Sequence, residues 1–175
     1  MTDESIIIKI ADKTEAELIA ELSRQTFYDS FEMYNTKENM DKFMNGQFTK
    51  EALMAEVGAA GNIFLLAYLT GEALGYARMR KTDNPPELGN VSAIEIARIY
   101  AVQKAIGKGV GKLLIERCIE IAKEKNEELI WLGVWEHNPR AIAFYIKWGF
   151  EKFGKHLFML GDDPQTDLLM KKELR

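Results

Sequence analysis

Residues 92–126 read SAIEIARIYAVQKAIGKGVGKLLIERCIEIAKEKN, and the fold turns on this stretch. Ser92 to Val102 is rich in β-branched residues and carries Tyr100, which predicts a strand. Gly107, Gly109 and Gly111 follow, alternating with Lys108, Val110 and Lys112. From about Gly109 to Asn126 the period changes. Val110, Leu113, Leu114, Cys118, Ile121 and Ala122 fall on one helical face. A strand, a glycine loop and a helix N-terminus together suit an anion. Glycine lets backbone approach a ligand closely. First-turn N–H groups lack internal acceptors and sit at the positive end of the helix dipole. Lys108 and Lys112 add positive charge.

Several readings compete for this loop. A Walker loop needs a glycine where Ile106 stands and a hydroxyl where Leu113 stands. A dinucleotide fingerprint needs Gly-x-Gly-x-x-Gly near a first strand, but here the spacing is Gly-x-Gly-x-Gly past the chain midpoint. The pyrophosphate of coenzyme A is a third candidate. A glycine turn without ligand is a fourth.

Moving outward, Glu128 to Trp135 predicts the next strand and Asn138 to about Trp148 the next helix, stopped by Gly149. Asn138 can cap that helix and offer an amide to a ligand. Tyr145 lies about two turns in, and its phenol is a candidate proton donor to a thiolate. The competing reading makes Phe144 and Tyr145 core aromatics. Upstream, Ser5 to Ile10 predicts a strand and Thr14 to about Asp29 a helix. Thr36 and Thr49 can cap two short helices, with Gly58 and Gly61 ending the second. Asn62 to Leu69 and Ala73 to Arg80 read as a hairpin. Glu151 to Leu160 and Gln165 to Leu174 read as a closing hairpin around Gly161, Asp162, Asp163 and Pro164. The order predicts an α/β fold, a mixed central sheet of about seven strands with helices on both faces.

Composition narrows the class. The 175 residues suit a single domain, 1–175. A net charge of −4 and the absence of a basic stripe exclude general nucleic-acid binding. Cys118 is the lone cysteine and His137 and His156 the two histidines, so neither a disulfide nor a zinc site is expected. Ile63 to Leu69 is the longest apolar run, far short of the roughly 20 residues a membrane span needs. The N-terminus lacks a basic leader region, and the expectation is a cytoplasmic protein without a membrane partner.

The glycine loop together with Asn138, Ala141, Phe144, Tyr145, Gly149 and Phe150 resembles the GCN5-related N-acetyltransferase family. The likeness runs along the whole chain in element order and is densest from Ile94 to Phe150. Ile106 departs from the family pattern, which has Arg or Gln at that place. Thr26 to Asn39, Ile130 to Asn138 and Gly161 to Met170 resemble more closely the PaiA-like polyamine acetyltransferases.

The resemblance implies direct acetyl transfer from acetyl-CoA to an amine, with no metal. It implies that the fourth and fifth strands splay, freeing the backbone of Ile99, Tyr100, Ala101 and Val102 for the cofactor arm. Gly107, Lys108, Gly109, Val110, Gly111 and Lys112 would hold the pyrophosphate. Asn138 would contact the arm and Lys147 its phosphate end. Tyr145 would be the general acid and Glu95 the base, with Glu136 second. The plainer reading of Glu95 is a salt bridge to Arg98. Asp29, Glu32, Tyr34 and Glu136 are the candidate contacts to a small-molecule amine, with polar loop as the alternative for the first three. Trp131 and Trp135 read as core, His137 as surface, His156 as a strand residue without chemistry and Cys118 as packed. A homodimer through the closing hairpin is also implied. A peptide N-terminus, a lysine or another small amine is an alternative acceptor. A weakly catalytic acyl-CoA-binding regulator is a further one, against which the retained Tyr145 speaks.

Overall fold

The computed structural model describes residues 4–175. Strand β1 (Ile7–Ile10) leads into helices α1 (Ala16–Phe31), α2 (Lys37–Gly46) and α3 (Lys50–Glu56). The hairpin β2 (Asn62–Leu69) and β3 (Glu72–Arg80) follows, then β4 (Ala93–Ala101) and α4 (Val110–Glu124). β5 (Leu129–Trp135), α5 (Pro139–Lys147), β6 (Glu151–Leu160) and β7 (Asp163–Glu173) complete the chain. Thr36 accepts from the Asn39 N–H, Thr49 from Ala52 and Asn138 from Ala141, so all three expected caps form. The entry to α1 differs from expectation. Thr14 N–H donates to Asp12 and Asp12 N–H donates to Glu15, a capping box that first makes a 3-10 turn over Lys13–Glu15.

The sheet has seven strands in the order β1-β2-β3-β4-β5-β7-β6. β4 and β5 run parallel and the other neighbours antiparallel. Asp163 and Pro164, expected in the last turn, pair instead with Leu160 and Met159 as the start of β7. One face of the sheet carries Ile94, Ile96, Ile130 and Leu132 against Leu114, Ile115 and Cys118 of α4. The other carries Phe64, Leu66 and Tyr76 against Ile19 and Leu22 of α1. Helices thus cover both faces. Among the described residues no helix is long and apolar enough to cross a membrane.

β4 and β5 are paired only from Ala93↔Leu129 to Ile96↔Leu132. Ala97 is the extra residue of a bulge, since Arg78 faces Arg98 while Met79 faces Ile96. A bulge sharpens the local twist and moves every later side chain to the opposite face. Ile96 and Ile99 therefore share the α4 side, while Tyr100 packs on Tyr76 toward α1. The strands part at this bulge, and the parting opens the site.

Candidate active site

A cleft of about 760 Å³ lies between the parted strands. The start of α4 closes one end and aromatic residues of α1 and α2 close the other. Gly107 and Gly109 bend the loop with φ of 82° and 90°, in the left-handed region that favours glycine. No side chain caps α4. Among the described residues the amides of Val110, Gly111 and Lys112 donate to no backbone or side-chain acceptor. A Cβ on Gly75 would lie 2.7 Å from both Tyr100 O and Val110 Cγ1, so the helix start seats directly on β3 at a glycine.

Gly107, Gly109, Gly111 and Lys112 line this end of the cleft, as do Lys147 and Arg140. Arg140 had no place in the sequence reading, although it directly follows the capping Asn138 and Pro139. Lys108 and Val110 do not line the cleft: Lys108 is exposed and Val110 is core, so Val110 offers only its amide. Val102 N–H donates to Leu74 O at 2.9 Å. Backbone alternation then turns the main-chain groups of Ile99 and Ala101 away from β3, toward the gap left by β5. Tyr100 lines the cleft, but by the same alternation its main-chain groups bond to β3, and Val102 has its amide already engaged, so neither has the free backbone expected for the cofactor arm.

Asn138 lines the cleft, and its Oδ1 accepts from Ala141 N–H at 3.1 Å, leaving its NH₂ for a ligand. Tyr145 is buried at the cleft wall, edge-on to Phe144 and Phe150. Burial pushes its phenol well above the ordinary value, so it carries its proton throughout the neutral range.

The acceptor side departs from expectation. Glu95 does not line the cleft, and its carboxylate receives Nε and Nη2 of Arg80 at 2.5 and 3.3 Å. Arg98, read as its partner, instead donates to Glu56 of α3 at 2.5 and 2.7 Å. Register explains the exchange: Arg80 is the direct cross-strand partner of Glu95, while Arg98 stands opposite Arg78 and shares Glu56 with it. Asp29 accepts from Gln25 at 2.8 Å, and Asp29, Glu32, Tyr34 and Glu136 all lie outside the cleft lining. Tyr34 is exposed and meets Trp135 edge-on at 5.1 Å, which puts it at the rim. Trp131 is core as expected, but Trp135 lines the cleft. Phe31, Phe43, Phe48 and Phe158 add aromatic walls, and Asp167 supplies a carboxylate. These residues come from α1, α2, the α2–α3 loop, β6 and β7, and the sequence reading gave none of them a part in the site.

Residues 17–150 match the sequence profile of the acetyltransferase (GNAT) family. The chain belongs to that family. An uncharacterised N-acetyltransferase of Lactobacillus delbrueckii subsp. lactis is 38% identical over 96% of each chain. A spermidine N(1)-acetyltransferase of Thermoplasma acidophilum is 22% identical over 97% of this chain and 98% of its own. The crystal structure of PaiA N-acetyltransferase from Thermoplasma acidophilum, in complex with coenzyme A, superposes with a TM-score of 0.74 at 21% identity. That superposition covers 97% of this chain and 99% of the other, a likeness of fold. The GNAT chain is therefore an N-acetyltransferase that uses acetyl-CoA. Its residues fit that donor: uncapped amides and the cations Lys112, Arg140 and Lys147 suit the phosphates, and the bare backbone of Ile99 and Ala101 suits an amide-bearing arm. Among the described residues no group of His, Cys, Asp and Glu is arranged to hold a metal.

Proposed function

We propose that this acetyltransferase acts on a primary amine of a polyamine such as spermidine or spermine. One observation carries the reading: Asp167 is the carboxylate among the cleft-lining residues, and Trp135, Phe31, Phe43, Phe48 and Phe158 line the same cleft. Aromatic faces and a carboxylate suit an alkylammonium. Glu136 beside His137, and Tyr34 against Trp135, offer further contacts at the rim for a second charge of an extended cation. The Thermoplasma spermidine N(1)-acetyltransferase supports the same class.

The roles follow from position. Backbone amides at the start of α4 bind the phosphates of the donor. Ile99 and Ala101 orient its arm along β4. Holding donor and amine together removes much of the entropic barrier. A free backbone N–H at Ile99 stabilises the oxyanion that develops on the thioester. Tyr145 gives its phenolic proton to the departing thiolate. The setting is the cytoplasm, which a lone buried cysteine suits. A homodimer through the outer edge of β6, where Leu157 and Met159 are exposed, belongs to the same proposal.

A second reading is a singly charged amine with an apolar neighbour, such as a peptide N-terminus. It is favoured by Arg98, which lines the cleft and opposes a second cation there. The two separate in a thiol-release assay with acetyl-CoA and spermidine, spermine, an alanine-terminated peptide or no acceptor. Higher kcat/KM for spermidine or spermine supports the first reading. Higher kcat/KM for the peptide overturns it in favour of the second.

A further inference from the structure

Gly133 is the first residue of β5 beyond its pairing with β4, and it faces the cleft with no side chain. A Cβ there would lie 3.3 Å from His156 Cε1 and 3.5 Å from Asp167 Oδ2. His156 of β6 and Asp167 of β7 are cross-strand partners, with Nε2 and Oδ2 3.3 Å apart. Asp167 lines the cleft with 19% of its side chain exposed, while His156 keeps 43% exposed beside it. Glycine at 133 thus leaves the Asp167 carboxylate open to the cleft at the point where the strands part, with the part-exposed His156 imidazole beside it, just outside the cleft lining. An imidazole there touches both a carboxylate and water.

We propose that Asp167 holds the ammonium of the acceptor and that His156, reached across Gly133, is the base that takes its proton. The proposal rests on the N-acetyltransferase reading and assigns the half of the chemistry that Tyr145 does not perform. An ammonium has no lone pair until it loses a proton, and imidazole ionises near the pH of the reaction. The charged groups around His156 are Asp167 from β7, Glu95 from β4 and Arg80 from β3. Asp167 and Glu95 favour the protonated ring and Arg80 opposes it, with a net upward shift led by Asp167. Glu95, tied to Arg80, is the weaker candidate for the base.

The proton count closes. One proton passes from the ammonium to the His156 imidazole and on to water. The amine lone pair then forms the C–N bond to the thioester carbonyl carbon, and the C–S bond breaks with its electron pair on sulfur. Tyr145 protonates that sulfur and is restored by the remaining excess proton of the new amide nitrogen. The sum is amide, free thiol and one proton released.

The experiment is kcat/KM against pH for wild type, His156→Gln and Asp167→Asn, with spermidine, spermine and an alanine-terminated peptide as acceptors. Alongside it, the His156 ring resonances are followed as the same amines are added to the coenzyme A-bound protein, using His137→Gln for assignment. We expect wild-type kcat/KM to rise through the pH at which the His156 ring titrates. His156→Gln should lower kcat/KM about 100-fold, lose that limb of the profile and keep its acetyl-CoA affinity. Asp167→Asn should raise the amine KM and lower the ring's titration midpoint. Wild-type kcat/KM with an unchanged limb in His156→Gln would overturn the base. A ring signal unmoved by every amine would overturn the subsite. No thiol release by wild type with any amine would overturn the functional reading and the base role, while a ring shift in that protein would still support the ammonium subsite.

Discussion

Tyr145, Cys118 and His156 illustrate how one protein environment sets three titrations apart. The Tyr145 phenol is held protonated by burial and faces the cleft. Tyr145→Phe should lower kcat by about 10²–10⁴-fold, the usual range for losing a general acid, with an unchanged acetyl-CoA Kd by calorimetry. Cys118 is fully buried on α4, and burial pushes its thiol up to about 12. A thiol-specific reagent at pH 8 should therefore find no reactive cysteine in native protein and find Cys118 after denaturation. His156 is raised by Asp167, so the pair stabilises the fold fully below the unfolded imidazole value of about 6.5. That stabilisation is lost as pH rises through the higher folded value. The Tm difference between wild type and Asp167→Asn should be largest below about pH 6 and shrink toward alkaline pH, as calorimetric scans across pH would report.

At the scale of an element, the start of α4 depends on two glycines for different reasons. Gly75 lies on β3 under Val110, and an added methyl would meet Val110 and the Tyr100 carbonyl at 2.7 Å. Gly109 has open space around it but a φ of 90°. Gly75→Ala should destabilise by about 1–3 kcal/mol through overpacking. Gly109→Ala should cost about 1–2 kcal/mol through left-handed strain. Urea unfolding separates these losses, and isothermal titration should show weakened acetyl-CoA binding in both because the amides of α4 move. Much of this element was legible beforehand. The predicted span from Gly109 to Asn126 brackets the observed Val110–Glu124, since period and cap are local signals. Strand β4 was legible as a strand, but its bulge at Ala97 was not. A bulge is defined by the partner strand's register, and no pattern within Ser92 to Val102 records that.

Across the whole molecule, Glu56 ties α3 to the sheet. Its carboxylate meets Arg78 Nη1 at 2.7 Å and Arg98 Nη2 at 2.5 Å, and Arg98 also lies over the Phe48 ring at 5.2 Å. Burial and the neighbouring Arg98 lower the Arg78 guanidinium to about 10. Arg98 Nη1 is buried without a partner, so the cluster already carries an excess of positive charge. Glu56→Gln leaves two guanidinium groups facing each other with no counter-charge. It should destabilise by about 3–5 kcal/mol, the range for breaking a buried ion pair, read as a lower urea midpoint. Because Arg98 lines the cleft, the same change should also raise the amine KM.

The strand, glycine loop and helix start at one end of the cleft were readable in one dimension because one segment builds them. Strand, loop and helix are contiguous from Ser92 to Asn126, and periodicity, caps and glycine positions act over a few residues. The second motif added Asn138 and Tyr145 by the same local means, while Lys147 came from the family likeness. The acceptor half was not readable, and the choice of Glu95, Asp29 and Glu32 marks where local signals end. Its members are brought together by register: β7 inserts between β5 and β6, which sets His156 against Asp167 and both beside Gly133. The bulge at Ala97 turns Arg98 to the side where Glu56 lies, and the register of β3 on β4 sets Glu95 against Arg80. Sequence alone determined the elements, the family likeness and the anion-binding loop, since each depends on neighbours along the chain. Tertiary structure alone decided which carboxylate faces the cleft, because that depends on pairings between strands far apart in sequence.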